Sequence, residues 1–439
     1  MTSVAGTLPE DYLPGLKGII ETALKQSPTM MLQNINLVQQ QAAHYQADSA
    51  LWPNLGSSFS YAFNGSRTES STSTTTSGSG GYYGFTLGQS LFQWGAVMNR
   101  INVVKLGEQI AQRQYADAFR GLAVSLRAQY LGLVMAKLSL RQARYQLTLQ
   151  EADLVIQKDM LAEGNISPGD LIGPQMQTDE ARLAVKRAEM EYGYGKNMFR
   201  RLAGLADLGD DAIPDTLPLV TNAAPTADAL LGEFKQSKGP ENSLQGQIDA
   251  LSVKQADLNY KIVRTSLYYP KFSFGAGYGL SYNPTGATIE ESTVLSYNYG
   301  ISANLPLFDG FSTRWAKVGA LASKRSAEQQ RQNHVEAGLD NAENARLRLA
   351  TAAEVLRLAE QRRDLAEDAL HRSQEEFKEG TVAQKALDSL VLTFNYADYA
   401  AVSARVAYLN LWTDFVGMVG ADPALRLIPS SYLTLNHGK

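Results

Sequence analysis

The stretch Tyr83-Gly84-Phe85-Thr86-Leu87-Gly88-Gln89-Ser90-Leu91-Phe92-Gln93-Trp94-Gly95 decides how the chain is read. Its large residues, Tyr83, Phe85, Leu87 and Leu91, alternate with the small Gly84, Thr86, Gly88 and Ser90. A period of two belongs to a strand with two chemically different faces. With no linker, the pattern then changes to a helical period that holds, free of proline, to Glu163. The same transition recurs in the second half of the chain, from Tyr299-Gly300 to Leu307-Phe308-Asp309-Gly310. A strand fed straight into a very long helix, twice in one chain, implies one architecture built twice rather than a row of ordinary domains.

Upstream of this stretch, residues 16–51 read as a helix with an early break at Pro28, stopped by Trp52-Pro53. A first strand follows, in which Leu55, Phe59, Tyr61 and Phe63 oppose Asn54, Gly56, Ser58, Ser60, Ala62 and Asn64. The Ser/Thr/Gly tract 66–81 is expected to be a solvated loop. In the second half a helix ends at Tyr269-Pro270, and Phe272, Phe274, Tyr278, Leu280 and Tyr282 alternate with Ser273, Gly275, Gly277, Gly279 and Ser281. After a loop at Asn283-Pro284-Thr285-Gly286, the fourth strand sets Leu295, Tyr297, Tyr299, Ile301 and Leu305 against Ser296, Asn298, Gly300, Ser302 and Asn304. Large residues on one face fit either the core of a soluble sandwich or the lipid side of a membrane barrel. Alternation alone leaves both open.

The long helices carry a seam. Phe119, Leu126, Leu133, Leu140, Leu147, Leu154 and Leu161 recur every seven residues, the signature of coiled-coil packing. Val335, Leu349, Leu356, Leu370 and Phe377 repeat it in phase, with Ala342 and Arg363 interrupting. Gly164-Asn165-Ile166-Ser167-Pro168 ends the first long helix and Gly380-Thr381-Val382-Ala383 the second. Leu171 and Leu387, Phe199 and Phe415, and Gly204 and Gly420 keep the same offset. The expected organisation is a first repeat over 15–204 (helix, strand hairpin 53–92, long helix 95–163, helix 168–203) and a connector over 205–226. A second repeat over 227–423 (helix, hairpin 270–307, long helix 311–379, helix 384–420) and a tail over 424–439 complete it.

Composition removes several classes of function. A net charge of −4 leaves no basic footprint for nucleic acid. The absence of cysteine excludes disulfides, thiolate metal sites and lipidation at an N-terminal cysteine. His44, His334, His371 and His437 lie far apart without ligand spacing, and no cofactor or metal site is expected. Gly275-Ala276-Gly277-Tyr278-Gly279 sits inside an alternating strand with no helix after it, so it is not read as a phosphate loop. No nucleophile elbow or Walker sequence is present, and an enzyme, such as a hydrolase on a helical stalk, lacks a candidate triad. No apolar run reaches the length of about 18 residues that a membrane-crossing helix needs. The opening Met1-Thr2-Ser3-Val4-Ala5-Gly6 lacks the pattern of a signal peptide, and removal of one is the expectation.

Helix length then bears on the sheet. The helices before the strands and after the tip, laid end to end, match the long helix between them, which predicts a two-layered column about 100 Å tall at about 1.5 Å per residue. Both hairpins fall at one end of that column and both tips at the other. Four strands cannot close a barrel, and in a bilayer closure is compulsory because lipid cannot satisfy an edge. Other copies must then complete it, and the Gly, Ser, Thr and Asn of the small face suit the wide bore that three copies give.

This plan of strand, Leu-Phe-Asp-Gly, very long helix and glycine tip, duplicated, resembles the outer-membrane efflux protein family of the TolC type over residues 15–423. The resemblance implies an α+β membrane protein: an internally duplicated protomer of long helices forming an α-helical barrel, whose four strands contribute to a trimeric, 12-stranded transmembrane β-barrel. It implies an outer-membrane channel-tunnel of a Gram-negative bacterium, extending into the periplasm as the exit duct of a tripartite efflux pump or a type I secretion system. The implied partners are two sister chains in a homotrimer, a periplasmic adaptor (membrane fusion) protein, an inner-membrane transporter and outer-membrane lipid, with no nucleic acid. The alternative is a soluble coiled-coil scaffold with a small β cap.

The resemblance also marks residues. Gly164, Asn165, Ile166 and Ser167, with Gly380, Thr381, Val382 and Ala383, would be hairpin tips that dock the adaptor, or plain helical turns. Asp170 would help hold the entrance closed, or would be a helix N-terminal carboxylate favoured by the dipole. Acidic positions expected on the second tip fall at Ala386 and Ser389, leaving Asp388 as the nearest carboxylate and second gate candidate. Expected Tyr and Arg partners fall at Phe377 and Val382, so the ionic latch of better-known members is not expected here. Phe59, Tyr61, Phe63, Tyr83, Phe85, Phe272, Phe274, Tyr278, Tyr282, Tyr297 and Tyr299 are the candidates for lipid-facing or interfacial positions.

Overall fold

The computed structural model describes residues 8–69, 74–221, 223–283 and 292–433. In chain order the elements are α1 (Pro9–Tyr12), α2 (Pro14–Gln26), α3 (Pro28–Asp48), β1 (Asn54–Thr68), β2 (Thr74–Phe92), α4 (Ala96–Ala162) and α5 (Ile172–Ala203). They continue with α6 (Ala224–Gln236), α7 (Gly239–Asn242), α8 (Leu244–Tyr268), β3 (Lys271–Asn283), β4 (Ser292–Asn304), α9 (Ser312–Lys378) and α10 (Gln384–Met418). The long helices α4 and α9 each hold 67 residues, and their first residues, Ala96 and Ser312, keep the offset that separates the tip glycines Gly164 and Gly380.

Two compact units form, and neither is a half of the sequence. The first takes Met1–Asn36, Gln112–Ile248 and Gln332–Lys439, and the second takes Leu37–Ala111 and Asp249–Arg331. The long helices run through both, so each unit is assembled from both halves of the chain.

In the first unit, side-chain bonds define a row of neighbouring helices. Arg144 on α4 meets Glu189 on α5 at 2.8 Å. Gln142 on α4 donates to the Asn395 carbonyl on α10 at 2.6 Å. Arg405 on α10 meets Glu360 on α9 at 2.6 and 2.8 Å. The order is therefore α5, α4, α10, α9. The pairs Arg144–Glu189 and Glu360–Arg405 occupy corresponding positions in the two halves of the sequence, with their charges exchanged. Each long helix also gathers its own core. Phe119, Leu126, Leu133 and Leu138 of α4 pack with Leu16, Ile20 and Phe199. Leu349 and Leu356 of α9 pack with Phe234, Tyr408, Trp412 and Phe415. The heptad seam is the spine of both. Arg363, which interrupts it, is half-buried and answers three carboxylates, Asp364 at 3.1 Å, Asp398 at 3.2 Å and Glu367 at 3.3 Å.

A buried charge cluster fixes the chain ends to this core. Arg127, fully buried, donates to Glu10 at 2.6 and 2.9 Å and to Asp422 at 2.6 and 2.9 Å. Burial opposes the guanidinium charge, but the bonds from Asp422 and Glu10 outweigh it and raise its pKa above the ordinary value.

In the second unit, four antiparallel strands form one sheet in the order β1-β2-β3-β4, so β1 and β4 are edges. The helices repeat that order. His44 on α3 lies 2.7 Å from Glu108 on α4, Gln255 on α8 donates to the Val103 carbonyl on α4 at 3.1 Å, and Lys324 on α9 meets Asp257 on α8 at 2.7 Å.

Three expectations need correction. The Ser/Thr/Gly tract is strand over much of its length: β1 continues to Thr68, β2 begins at Thr74, and these two residues pair. Composition reported solvent, not backbone; threonine suits a pleated strand, and a ladder already nucleated extends with little further loss of entropy. Residues 70–73, and the Pro284-Thr285-Gly286 part of the second loop, lie outside the described residues, as does His437. The break expected at Pro28 is present, at Ser27-Pro28, but the single helix expected before the second hairpin is interrupted around Gly239-Pro240. Proline opens a helix more readily than it continues one. Finally, α5 begins at Ile172 rather than 168, because Ser167 and Asp170 close a turn between them.

Candidate functional site

The sheet is the first candidate. Register places Phe59, Tyr83, Leu280 and Leu295 in one row across the four strands. Ser57, Phe85, Tyr278 and Tyr297 form the next row, and Leu55, Leu87, Ala276 and Tyr299 the one after. Directly paired residues share a face, so the sheet gathers Phe59, Tyr83, Phe85, Tyr278, Tyr297 and Tyr299 on one side. Tyr61 and Tyr282 flank Gly81 on that side; Phe63 follows Tyr61 by two residues on β1, and Phe272 and Phe274 extend the face along β3. The opposite side carries rows such as Ser58-Gly84-Gly279-Ser296 and Gly56-Thr86-Gly277-Asn298. Among the described residues no second layer covers the aromatic side: Phe63 is 80% exposed and Tyr299 78%. An apolar surface of this extent exceeds what a lone soluble chain normally shows.

The junctions between strands and helices were missed by pattern reading. Trp94 and Gly95 both have positive φ, +53° and +79°, and so do Gly310 and Phe311, both at +66°. The two pairs hold corresponding positions in the duplicated halves. The turn needs two successive left-handed residues. Glycine supplies one, while an aromatic residue takes the other at a cost of roughly 1–2 kcal/mol. Packing holds it there: the Trp94 ring stacks on Tyr269 at 4.5 Å and its Nε1 donates to the Pro270 carbonyl at 2.9 Å. Phe311 meets Phe308 edge-on at 5.4 Å. Asp309 of the Leu-Phe-Asp-Gly stretch accepts from the Thr313 hydroxyl and, at 2.9 Å, from the Thr313 amide, which together lower its pKa. It thereby satisfies an orphan amide at the start of α9. Three of the four tryptophans, Trp52, Trp94 and Trp315, stand exposed near these junctions, whereas Trp412 is buried. For Trp52 and Trp94 that placement was visible in the sequence as tryptophan two residues from a strand end.

The tips are the second candidate. At Gly164 (φ +79°) the amides of Gly164 and Asn165 bond back to the Leu161 and Met160 carbonyls at 3.0 and 2.8 Å. At Gly380 (φ +74°) the amides of Gly380 and Thr381 bond to Phe377 and Glu376, both at 3.0 Å. Both are left-handed helix stops that glycine adopts without strain. Asn165, Ile166 and Ser167, and Thr381, Val382 and Ala383, form the turns beyond them. The two turns differ in chemistry. Asp170 accepts from the Ser167 amide at 2.9 Å and hydroxyl at 2.8 Å, and its own amide donates to the Ser167 carbonyl at 3.0 Å. The two bonds from Ser167 lower the Asp170 pKa. Asp388 instead accepts from Gln384 at 2.8 Å and faces Tyr145, whose pKa is raised by burial and by that carboxylate. Asp170 and Asp388 are thus engaged with different partners.

The helical edges are a third feature that the spacing contained and the reading passed over. On α5, Met176, Leu183 and Met190 recur every seven residues and stay open, at 59, 47 and 69% exposure. Leu358 and Leu365 do the same on the other edge helix, α9. In the second unit the edge helix α3 likewise leaves Val38 and Tyr45 exposed. Among the described residues no cluster of His, Asp or Glu is arranged to hold a metal ion, and no helix is long and apolar enough to cross a membrane.

Long helices and a four-stranded sheet in this order give the fold of solved outer-membrane channels. The chain superposes on the outer-membrane channel OprN with a TM-score of 0.69 and 18% identity, over 93% of this chain and 90% of that one. For the Campylobacter jejuni CmeC outer membrane channel the TM-score is 0.71 at 16% identity, over 97% and 92%. For the open state of the Neisseria gonorrhoeae MtrE outer membrane channel it is 0.65 at 15%, over 95% and 93%. At these identities the likeness is one of fold. No curated protein matches the sequence. The family described as outer membrane efflux protein matches residues 242–414, and it is this family that the chain resembles in both sequence and fold.

Proposed function

We propose that the chain is one protomer of a homotrimeric outer-membrane duct through which solutes leave a Gram-negative cell. The observation that carries the reading is that, among the described residues, the sheet stops at two unpaired edges and the outer helices of the first unit keep open apolar stretches away from where α2 packs on α5 and α6 on α9. The sheet ends at β1 and β4, and the helical row of the first unit ends at α5 and α9. Heptad-spaced apolar residues remain open on both of those helices. A surface that is self-complementary head to tail closes into a ring, and three chains of four strands give a 12-stranded barrel.

In that assembly Phe59, Tyr61, Phe63, Tyr83, Phe85, Phe272, Phe274, Tyr278, Tyr282, Tyr297 and Tyr299 face lipid or its interface, and the Gly/Ser/Thr/Asn side lines the bore. Trp52, Trp94 and Trp315 sit where an aromatic girdle belongs. The tips Gly164–Ser167 and Gly380–Ala383 dock a periplasmic adaptor that joins the duct to an inner-membrane transporter, in an efflux pump or a type I secretion system. Asp170 and Asp388 line the entrance there. The duct performs no chemistry of its own and takes its energy from the transporter. The soluble scaffold is disfavoured because, among the described residues, nothing packs on the aromatic side of the sheet.

The test is extraction and recording. The protein is expected to leave membranes only with detergent, to run as a heat-labile oligomer three times the chain mass, and to conduct in planar bilayers. A monodisperse monomer soluble without lipid ends the reading. For the tips, the expected result is crosslinking from Ser167→Cys or Thr381→Cys to an adaptor in the assembled pump; consistent absence of a crosslink removes the docking assignment.

A further inference from the structure

One residue breaks the chemistry of the small-residue face. Among the described residues of the four strands, Tyr82 is the single aromatic on that side. Its register partners are Ser60 on β1 and Ser281 on β3. The ring does not stand away from the sheet. It lies flat over Gly84 and Gly279, which are the two buried residues among the described strand positions. A Cβ built on Gly279 would come 2.8 Å from the Tyr82 ring and its hydroxyl, and one on Gly84 would press on the same ring. The two glycines therefore form a recess that only an absent side chain can leave, and the phenol fills it. The ring keeps one face open, at 37% exposure.

We propose that Tyr82 is the solute-contacting residue of the strand-walled bore, and that organic cations with an apolar body are the solutes it favours. The inference rests on the small-residue side lining the bore. Three chains would then present three rings at one level. Among the described residues this face carries no carboxylate, and its one cation, Lys271 beside Asn304, lies at the far end of β3 from Ser281, so ring faces are what the wall near Tyr82 offers a cation. Glycine, serine and asparagine offer little to an apolar body, whereas a tyrosine face offers contact area and a negative quadrupole together. Setting the ring into a recess leaves the passage wide, so the contact need not also be a constriction.

Tetraphenylphosphonium, added on the strand side of protein reconstituted in planar bilayers, is the probe. Half-blocking concentration should stay within about twofold in Tyr82→Phe and rise about threefold or more in Tyr82→Ala. Tyr82→Leu, which keeps bulk without a ring face, should rise likewise and serves if the alanine protein fails to assemble. Gly279→Ala should push the ring into the passage and lower single-channel conductance, and adding Tyr82→Ala should restore it. An unchanged half-blocking concentration in Tyr82→Ala or Tyr82→Leu, or a wild-type channel that the probe never blocks, overturns the proposal. The bore assignment is tested separately. The chain has no cysteine, so Asn298→Cys alone reports whether this face meets water. Modification of that thiol by a water-borne reagent together with unchanged block removes the role of Tyr82 and leaves the duct; an unreactive thiol in the reconstituted trimer removes both.

Discussion

Arginine in place of Tyr297 should damage assembly far more than arginine in place of its neighbour Asn298, although every residue of β4 is exposed in the single chain. β4 has 13 residues; at about 3.3 Å per residue and a tilt of about 40°, it spans about 30 Å along the membrane normal. Tyr297 stands close to its middle, in the row it shares with Tyr278 and Phe85. An arginine on the lipid side at that depth costs about 2–4 kcal/mol per chain, so about 6–12 kcal/mol across three chains. An arginine at position 298, on the other face, meets water and should cost less than about 1 kcal/mol. The measurement is a urea titration of folding into lipid vesicles, scored by the heat-labile oligomer. Equal tolerance of both substitutions would show that β4 does not cross a bilayer, and the reverse ranking would show that the faces have been assigned the wrong way round.

The charge-exchanged helix pairs should respond unequally. Arg405 is nearly buried and also donates to the Leu217 carbonyl at 2.6 Å, so Arg405→Leu should cost about 3–5 kcal/mol, while Arg144→Leu at the exposed counterpart should cost under about 1 kcal/mol in urea titrations followed by circular dichroism. At the first tip, the depressed Asp170 pKa makes its cap present above the ordinary carboxylate range and lost as pH falls through the lowered value. Exchange protection of the Ser167 amide, corrected for intrinsic rate, should therefore decline below about pH 4 in the wild type and be weak and flat in Asp170→Asn. Lipids brominated near the headgroup should quench Trp52 and Trp315 in single-tryptophan variants and leave Trp412 unquenched, because only Trp412 is held inside the helical core.

Much of the fold was legible because its signals are local. Period-two alternation in 83–91 and 271–282, and a seven-residue seam from Phe119 to Leu161, each follow from backbone geometry alone. The glycine stops at 164 and 380 were legible for the same reason: they mark where a helix needs a left-handed residue. The tract around Thr68 and Thr74 misled because its polarity described what surrounds it, whereas its conformation was set by the ladder it extends.

What the sequence determined by itself is the set of elements, their duplication at a fixed offset and the two chemistries of each strand, since these are properties of neighbouring residues. The tertiary structure decided the rest. It set the register that puts the aromatics of four strands on one face, and the recess that Gly84 and Gly279 open for Tyr82. It placed Glu10, Asp422 and Arg127 together, and left α5 and α9 at the edges of their row. Those partners lie far apart along the chain. Which of them meet depends on packing that couples distant segments, and no local period encodes it.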